Sequence, residues 1–134
     1  MKVFVDHNIS PHLARGLHCI LAPEGHTVTA LEDKFDRGVA DATWIGQLGR
    51  EGGWWVLTDD HRIKTRPPER AAWRAANMRG LFLAKGWRTL STVTTAGRLL
   101  LSWSKFVDID RVTTGAAMYE VPIGFNTGLR QLPF

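Results

Sequence analysis

Four aspartates and one asparagine carry the chemistry that can be read in this chain. Asp6 follows the run Lys2-Val-Phe-Val5, Asp41 opens an amphipathic stretch, and Asp59-Asp60 follow Trp54-Trp-Val-Leu-Thr58. Asn8 lies just beyond Asp6. Carboxylates, a side-chain amide and water are the ligands that suit a hard divalent cation such as Mg²⁺ or Mn²⁺. Gathered without a cation, they repel: two unit charges about 4 Å apart cost on the order of 4 kcal/mol at an effective dielectric of about 20. A pocket that collects these side chains therefore reads as a metal set of Asp6, Asp41, Asp59 and Asp60, with Asn8 behind it. Each residue also has a local alternative. Asp and Asn form turns, and Asp41 could be a helix N-cap.

A basic run, His61, Arg62, Lys64 and Arg66, follows the Asp59-Asp60 pair. Taken alone, such a run is more simply an ordinary solvated loop. His7 and His61 are not read as zinc ligands, because the companion His and Cys spacing is missing. His12, His18 and His26 are assigned to structure.

These residues must be positioned by strands and helices. Lys2–Val5 reads as a strand buried on both faces, stopped by Asp6. Ser10 and Pro11 start a helix whose stripe is Leu13, Ala14, Leu17, Ile20 and Leu21. Residues 26–31 read as a second strand, and Glu32 to Val39 as a loop. Asp41 opens a helix that Gly52-Gly53 stops. Trp54–Thr58 is the third strand. Pro67-Pro68 start a helix to about Asn77, and Gly80–Ala84 is the fourth strand. A long helix is expected from Thr89 to Phe106, with Leu90, Val93, Leu99, Leu100, Trp103 and Phe106 as buried positions. Ala116–Val121 is expected as a fifth strand at an edge, and 122–134 as a loosely ordered tail within one domain, 1–134. Alternating strands and helices predict an α/β fold, a three-layer α/β/α domain with a mainly parallel central sheet. Ligands of such sheets bind at the carboxyl ends of the strands, where Asp6 and Asp59-Asp60 stand.

A chain of 134 residues, 44% hydrophobic and 22% charged, is long and apolar enough for a core and argues against disorder. The single Cys19 excludes an intrachain disulfide and a multi-cysteine zinc site, and fits a reducing compartment. The chain opens directly into a strand and has no run long enough to span a bilayer, so a cytoplasmic location and no membrane partner are expected. A net charge of +4 favours polyanionic partners. Of the six tryptophans, Trp44, Trp54, Trp55 and Trp103 fall on core faces. Trp73 and Trp87 are harder to place. Packing is favoured, and stacking on bases or anchoring a partner is the alternative. Arg70, Arg74 and Arg79 around Trp73 would form a basic face, or a solvated one.

The segments Val3-Phe-Val-Asp6-His-Asn8-Ile-Ser-Pro11, Gly38-Val-Ala-Asp41-Ala-Thr-Trp-Ile45 and Val56-Leu-Thr-Asp59-Asp60-His61 resemble the small PIN-like proteins. These are relatives of the VapC-type ribonuclease toxins. The resemblance spans roughly residues 1–84. It implies a PIN-like fold in which Asp6, Asp41 and Asp60 are catalytic and bind Mg²⁺ or Mn²⁺. Asp59 stands at a variable position, and Asn8 acts through a water or a carboxylate. It further implies a metal-dependent endoribonuclease, the toxin of a toxin–antitoxin pair, cutting single-stranded RNA whose phosphate backbone His61, Arg62, Lys64 and Arg66 would grip. Its partners would be a cognate antitoxin and, as an open alternative, a second copy in a homodimer.

The chain departs from the family pattern in two places. The family often has a second Asp where Arg62 stands, and the further helix acid of larger relatives has Glu69 as its nearest candidate here. These departures keep open a catalytically inactive PIN-like module that binds RNA or protein. A receiver-like reading fits Thr58-Asp59-Asp60 but not Asn8 and Ser10-Pro11.

Overall fold

Val3, Phe4 and Val5 are all buried, as a strand covered on both faces requires, and Lys2–Val5 forms β1, an interior strand of the sheet. The structure, a computed structural model, describes residues 1–124 and 126–133. After β1 come α1 (Pro11–Leu21), β2 (Thr27–Ala30), a one-turn helix α2 (Leu31–Lys34), α3 (Asp41–Glu51) and β3 (Trp54–Thr58). Then follow α4 (Pro67–Ala75), β4 (Arg79–Leu83), α5 (Thr92–Val112), β5 (Ala117–Val121) and β6 (Arg130–Gln131).

Among the described residues the strands order as β2-β1-β3-β4-β5-β6. Every neighbouring pair is parallel except β5 and β6. Because side chains alternate across a strand, one face of the sheet carries Val3, Val5, Trp55, Leu57, Leu81 and Tyr119, packed with Leu17 of α1 and Leu99 and Phe106 of α5. The other face carries Phe4, Val56, Phe82 and Met118, packed with Trp44, Ile45 and Leu48 of α3 and Trp73 of α4. The chain is thus a three-layer α/β/α domain.

Several expectations change at this point. Residues 32–39 are not wholly loop, since α2 occupies the start. The last helix begins at Thr92, where the Ser91 hydroxyl accepts the Thr94 N–H at 3.1 Å, and a 3₁₀ turn, Lys85–Thr89, precedes it. Val93 consequently lies in the first turn facing outward, 82% exposed. Ile20 is also exposed, at the rim of the buried arc of α1. β5 is not an edge, because β6 pairs with it antiparallel and Leu132 is buried. Within the tail 122–134, Phe125 and Phe134 lie outside the described residues. Trp73 and Trp87 are both buried, and their indole N–H groups donate to Ala117 O and Val121 O at 3.4 and 3.1 Å. Neither ring is presented to a base. Arg79 stands at the amino end of β4, opposite the edge that bears Asp60, and pairs with Asp110 at 3.2 Å. No helix among the described residues is long and apolar enough to cross a membrane.

One consequence of the strand order positions the site. The chain leaves β1 for β2 on one side, then crosses over to β3 on the other. The carboxyl ends of β1 and β3 therefore flank a topological switch point, the crevice where open α/β sheets place their ligands.

Candidate active site

Val5 pairs with Leu57, and the Asp6 N–H continues the ladder to Leu57 O at 3.0 Å. Asp6 therefore lies beside Thr58. The Thr58 hydroxyl donates to Asp6 Oδ2 at 2.9 Å and accepts the Asp60 N–H at 2.9 Å. The other Asp6 oxygen, Oδ1, accepts the His7 N–H at 2.7 Å and lies 2.9 Å from His7 Nδ1. Asp6 is 1% exposed, so this network replaces water for both oxygens.

Asp60 is also buried, and its partner is Arg62. The guanidinium donates from Nε to Oδ1 at 2.9 Å and from Nη2 to Oδ2 at 3.0 Å, and the Arg62 backbone N–H adds a bond to Oδ1 at 3.0 Å. This fork holds the Asp60 carboxyl below the usual carboxylate range. In return Asp60, with the charges of Asp41 and Asp6 behind it, lifts the Arg62 guanidinium above its ordinary value. Arg62, expected to grip RNA, is engaged with the acid site itself.

Asp41 is the first residue of α3. The cap position is Ala40, so Asp41 is not the N-cap. Its Oδ1 accepts the Trp44 indole N–H at 3.1 Å. Burial pushes the Asp41 carboxyl up; the Trp44 bond opposes this, and the charges of Asp6, Asp60 and Glu69 add to it. Glu69 lies in the first turn of α4, and its buried Oε2 has no hydrogen-bond partner. Packing of α4 on α3 brings it within electrostatic reach of Asp41. The resemblance makes Glu69 the nearest candidate for the further helix acid of larger relatives, and its place after Pro67-Pro68 sets it at a helix start.

Asp59 faces elsewhere. Its Oδ2 lies 3.3 Å from Arg88 Nε, and Arg88 Nη2 donates to its carbonyl at 2.8 Å. Burial pushes the Asp59 carboxyl up, Arg88 opposes this, and Asp6 and Asp60 add to the rise. Its Oδ1 is buried without a partner. Asn8, Asp59 and Asp60 line an open cleft of about 710 Å³ together with Lys85 and Arg88. Sequence reading did not single out these last two residues. His61 belongs to the scaffold, with Nε2 2.7 Å from Leu83 O. Lys64 is half-buried, while Arg66 is exposed and its charge also acts on Asp60.

The chemistry and the geometry of this site disagree about a divalent ion. Anionic oxygen donors suit Mg²⁺ or Mn²⁺, and two buried carboxylate oxygens nearby lack partners. Yet among the described residues no group of three or more His, Cys, Asp or Glu side chains is arranged to hold a metal. Both oxygens of Asp60 are given to Arg62, and both of Asp6 accept bonds from the chain. In this arrangement the residues do not fit the ion.

Comparison with known proteins agrees with the fold. The profile described as a PIN-like domain matches residues 1–85 of the 134, from β1 through β4, and so includes Asp6, Asp41 and Asp60. No curated protein and no solved structure matched the chain. A match over more than half of the sequence, on strands in the order found and with the acids at their carboxyl ends, is a nuclease-type architecture, and the chain belongs to the PIN-like domain family.

Proposed function

We propose that the chain is a metal-dependent endoribonuclease that cleaves single-stranded RNA, with Mg²⁺ or Mn²⁺ as cofactor, and that it serves as the toxin of a toxin–antitoxin pair in the cytoplasm. One observation carries this reading. Asp6, Asp41 and Asp60 come from three separate elements to one end of the sheet, within electrostatic reach of each other. Packing alone disfavours such a gathering of like charge. Asp6 is the fixed member, held by Thr58 and His7. Asp41 and Glu69 add negative charge from the α3–α4 side. Lys85, Arg88 and Arg66 supply positive charge around the cleft, where the backbone of a strand would run.

A second reading, a binding module for RNA or protein without catalysis, is favoured by the Arg62–Asp60 fork, which takes up the third acid. One experiment separates the two. Purified protein is incubated with mixed RNA and Mg²⁺ or Mn²⁺, beside Asp6→Asn checked for folding by circular dichroism. Ion-dependent cleavage that Asp6→Asn abolishes supports the nuclease. RNA binding without cleavage under either ion supports the module. A neighbouring small reading frame encoding a DNA-binding protein would support the toxin assignment.

A further inference from the structure

Thr95 of α5 is only 8% exposed, yet its hydroxyl makes no hydrogen bond to any described residue. Buried polar groups are nearly always paired, so an open one points to a partner from outside the chain. Thr95 lines a hollow of about 240 Å³ between the starts of α1 and α5, walled by Ile9, Leu13, Leu83 and Leu90. Drug-sized sites run to roughly 300–1,000 Å³, so this smaller hollow suits a single flat ring system. It opens off the cleft, because Asn8, Asp59 and Arg88 line both. Arg88 Nε lies 3.3 Å from Asp59 Oδ2, while Oδ1 is buried without a partner. The Asp59 side chain is 17% exposed and the terminal torsion of an aspartate is soft, so a donor seated in the hollow can reach its free oxygen. An ionised carboxylate only accepts hydrogen bonds, and it repels phosphate. The phosphates of a strand therefore stay with Lys85 and Arg88 in the cleft. What enters the hollow is neutral, apolar on its faces and bears N–H groups on its edge.

We propose that the hollow beside Thr95 seats one base of an RNA strand lying in the cleft, and that this base is guanine. Of the RNA bases, guanine alone sets N–H donors on neighbouring atoms of its Watson–Crick edge, N1–H and the N2 amino group. In the others an acceptor stands next to the donor and would face the Asp59 carboxylate. The Thr95 hydroxyl, which can donate or accept, takes a polar atom of the ring edge, and the apolar walls cover the ring faces. This rests on the reading that single-stranded RNA occupies the cleft, which the nuclease and the binding module share. It requires no bound ion.

The test is run in chelator, so neither ion nor cleavage enters. Fluorescence anisotropy measures binding of the full chain to a 2′-O-methyl oligouridine carrying one central guanine, beside the same oligomer with hypoxanthine, adenine or uracil at that place. Hypoxanthine keeps N1–H and lacks the N2 amino group. Unlabelled guanosine 5′-monophosphate competes in a separate arm. Thr95→Val removes the hydroxyl and keeps the shape, Asp59→Asn replaces the pure acceptor, and Thr92→Phe fills the hollow from an exposed lining position. Circular dichroism checks their folding. The guanine oligomer should bind about tenfold more tightly than the adenine and uracil ones, with hypoxanthine between. Each variant should shrink the ratio of guanine to uracil affinity. The ratio is read because Asp59→Asn removes a negative charge and tightens every oligomer alike. The mononucleotide, with one phosphate, should compete at least about tenfold more weakly than the oligomer. Equal affinities for all oligomers overturn the base site and leave RNA binding standing. A guanine preference that survives both Asp59→Asn and Thr92→Phe overturns its placement in this hollow. A mononucleotide that competes as well as the oligomer overturns the strand as the source of the base. No binding of any oligomer overturns the base site and the RNA reading together.

Discussion

Thr58 joins Asp6 across the seam between β1 and β3, its hydroxyl donating to Oδ2 at 2.9 Å while accepting the Asp60 N–H at the same distance. Thr58 is fully buried and Asp6 nearly so. Thr58→Val keeps the shape but orphans both neighbours, at a cost of about 2–4 kcal/mol. Thr58→Ser keeps the hydroxyl and loses a methyl, at about 1 kcal/mol. Urea denaturation of the two variants checks this. A valine variant as stable as the serine one would show that the hydroxyl does not tie the acids together.

The acids of the site respond to pH with opposite signs. Burial raises Asp41 above its unfolded value, so the folded state holds its proton more tightly. Stability is lost as pH rises from the ordinary carboxylate range through the raised value. Arg62 lowers Asp60, so its contribution is present above the unfolded value and is lost as pH falls through the folded one. Repulsion alone predicts that either Asp→Asn change stabilises the protein, and the fork reverses the sign at Asp60. Asp41→Asn, whose amide oxygen can still accept the Trp44 N–H, should melt higher than the unmodified chain at neutral pH in chelator. The advantage should vanish below about pH 4. Asp60→Asn should melt lower at neutral pH. Thermal melts across pH check both. If Asp41→Asn melts lower at neutral pH, the favourable place of its charge at the start of α3 outweighs the repulsion.

How far the site could be read in advance follows from what fixes each part. Apolar runs stopped by Asp6 and by Asp59-Asp60 mark the ends of β1 and β3, because a strand buried on both faces reads as a continuous apolar run that is local to the sequence. That these ends are neighbours depends on the crossover after β2, which alternation of strands and helices permits but does not impose. Arg62 was legible as a break in an acidic pattern, whereas its rotamer onto Asp60 was not. Glu69 comes within electrostatic reach of Asp41 through the packing of α3 on α4, a proximity no local periodicity encodes. Lys85 and Arg88 sit in a 3₁₀ turn too short for a pattern, and β6, at two residues, is below any strand signal.

The approach of α3 to α4 hinges on Gly49. A Cβ there would lie 2.5 Å from Ala76 Cβ and 2.8 Å from Ala76 Cα, so one helix must move. Gly49→Ala should cost about 1–3 kcal/mol by overpacking, despite the gain of roughly 0.5–1 kcal/mol that alanine brings to a helix. The shift should also separate Asp41 from Glu69. Gly46→Ala on the same helix is the control. Its Cβ would meet Arg50 Nη1 at 3.5 Å, an ordinary contact, so it should stabilise. Denaturant midpoints of the two variants with opposite signs would confirm the close approach, and equal midpoints would refute it.

Phosphate contacts around the cleft have a signature in salt. Binding to a single strand weakens with a logarithmic slope of about −0.7 for each phosphate neutralised. Lys85 and Arg66 are exposed, one lining the cleft and the other within reach of Asp60. Lys85→Ala and Arg66→Ala should each flatten the slope for a single-stranded oligoribonucleotide by about 0.7 and weaken binding at every salt concentration. Arg111, paired with Asp108 near the end of α5, is the control, and Arg111→Ala should leave the slope unchanged. Fluorescence anisotropy over a salt series measures all three. An altered slope for Arg111→Ala beside unaltered slopes for the other two would move the RNA from the carboxyl edge of the sheet to α5.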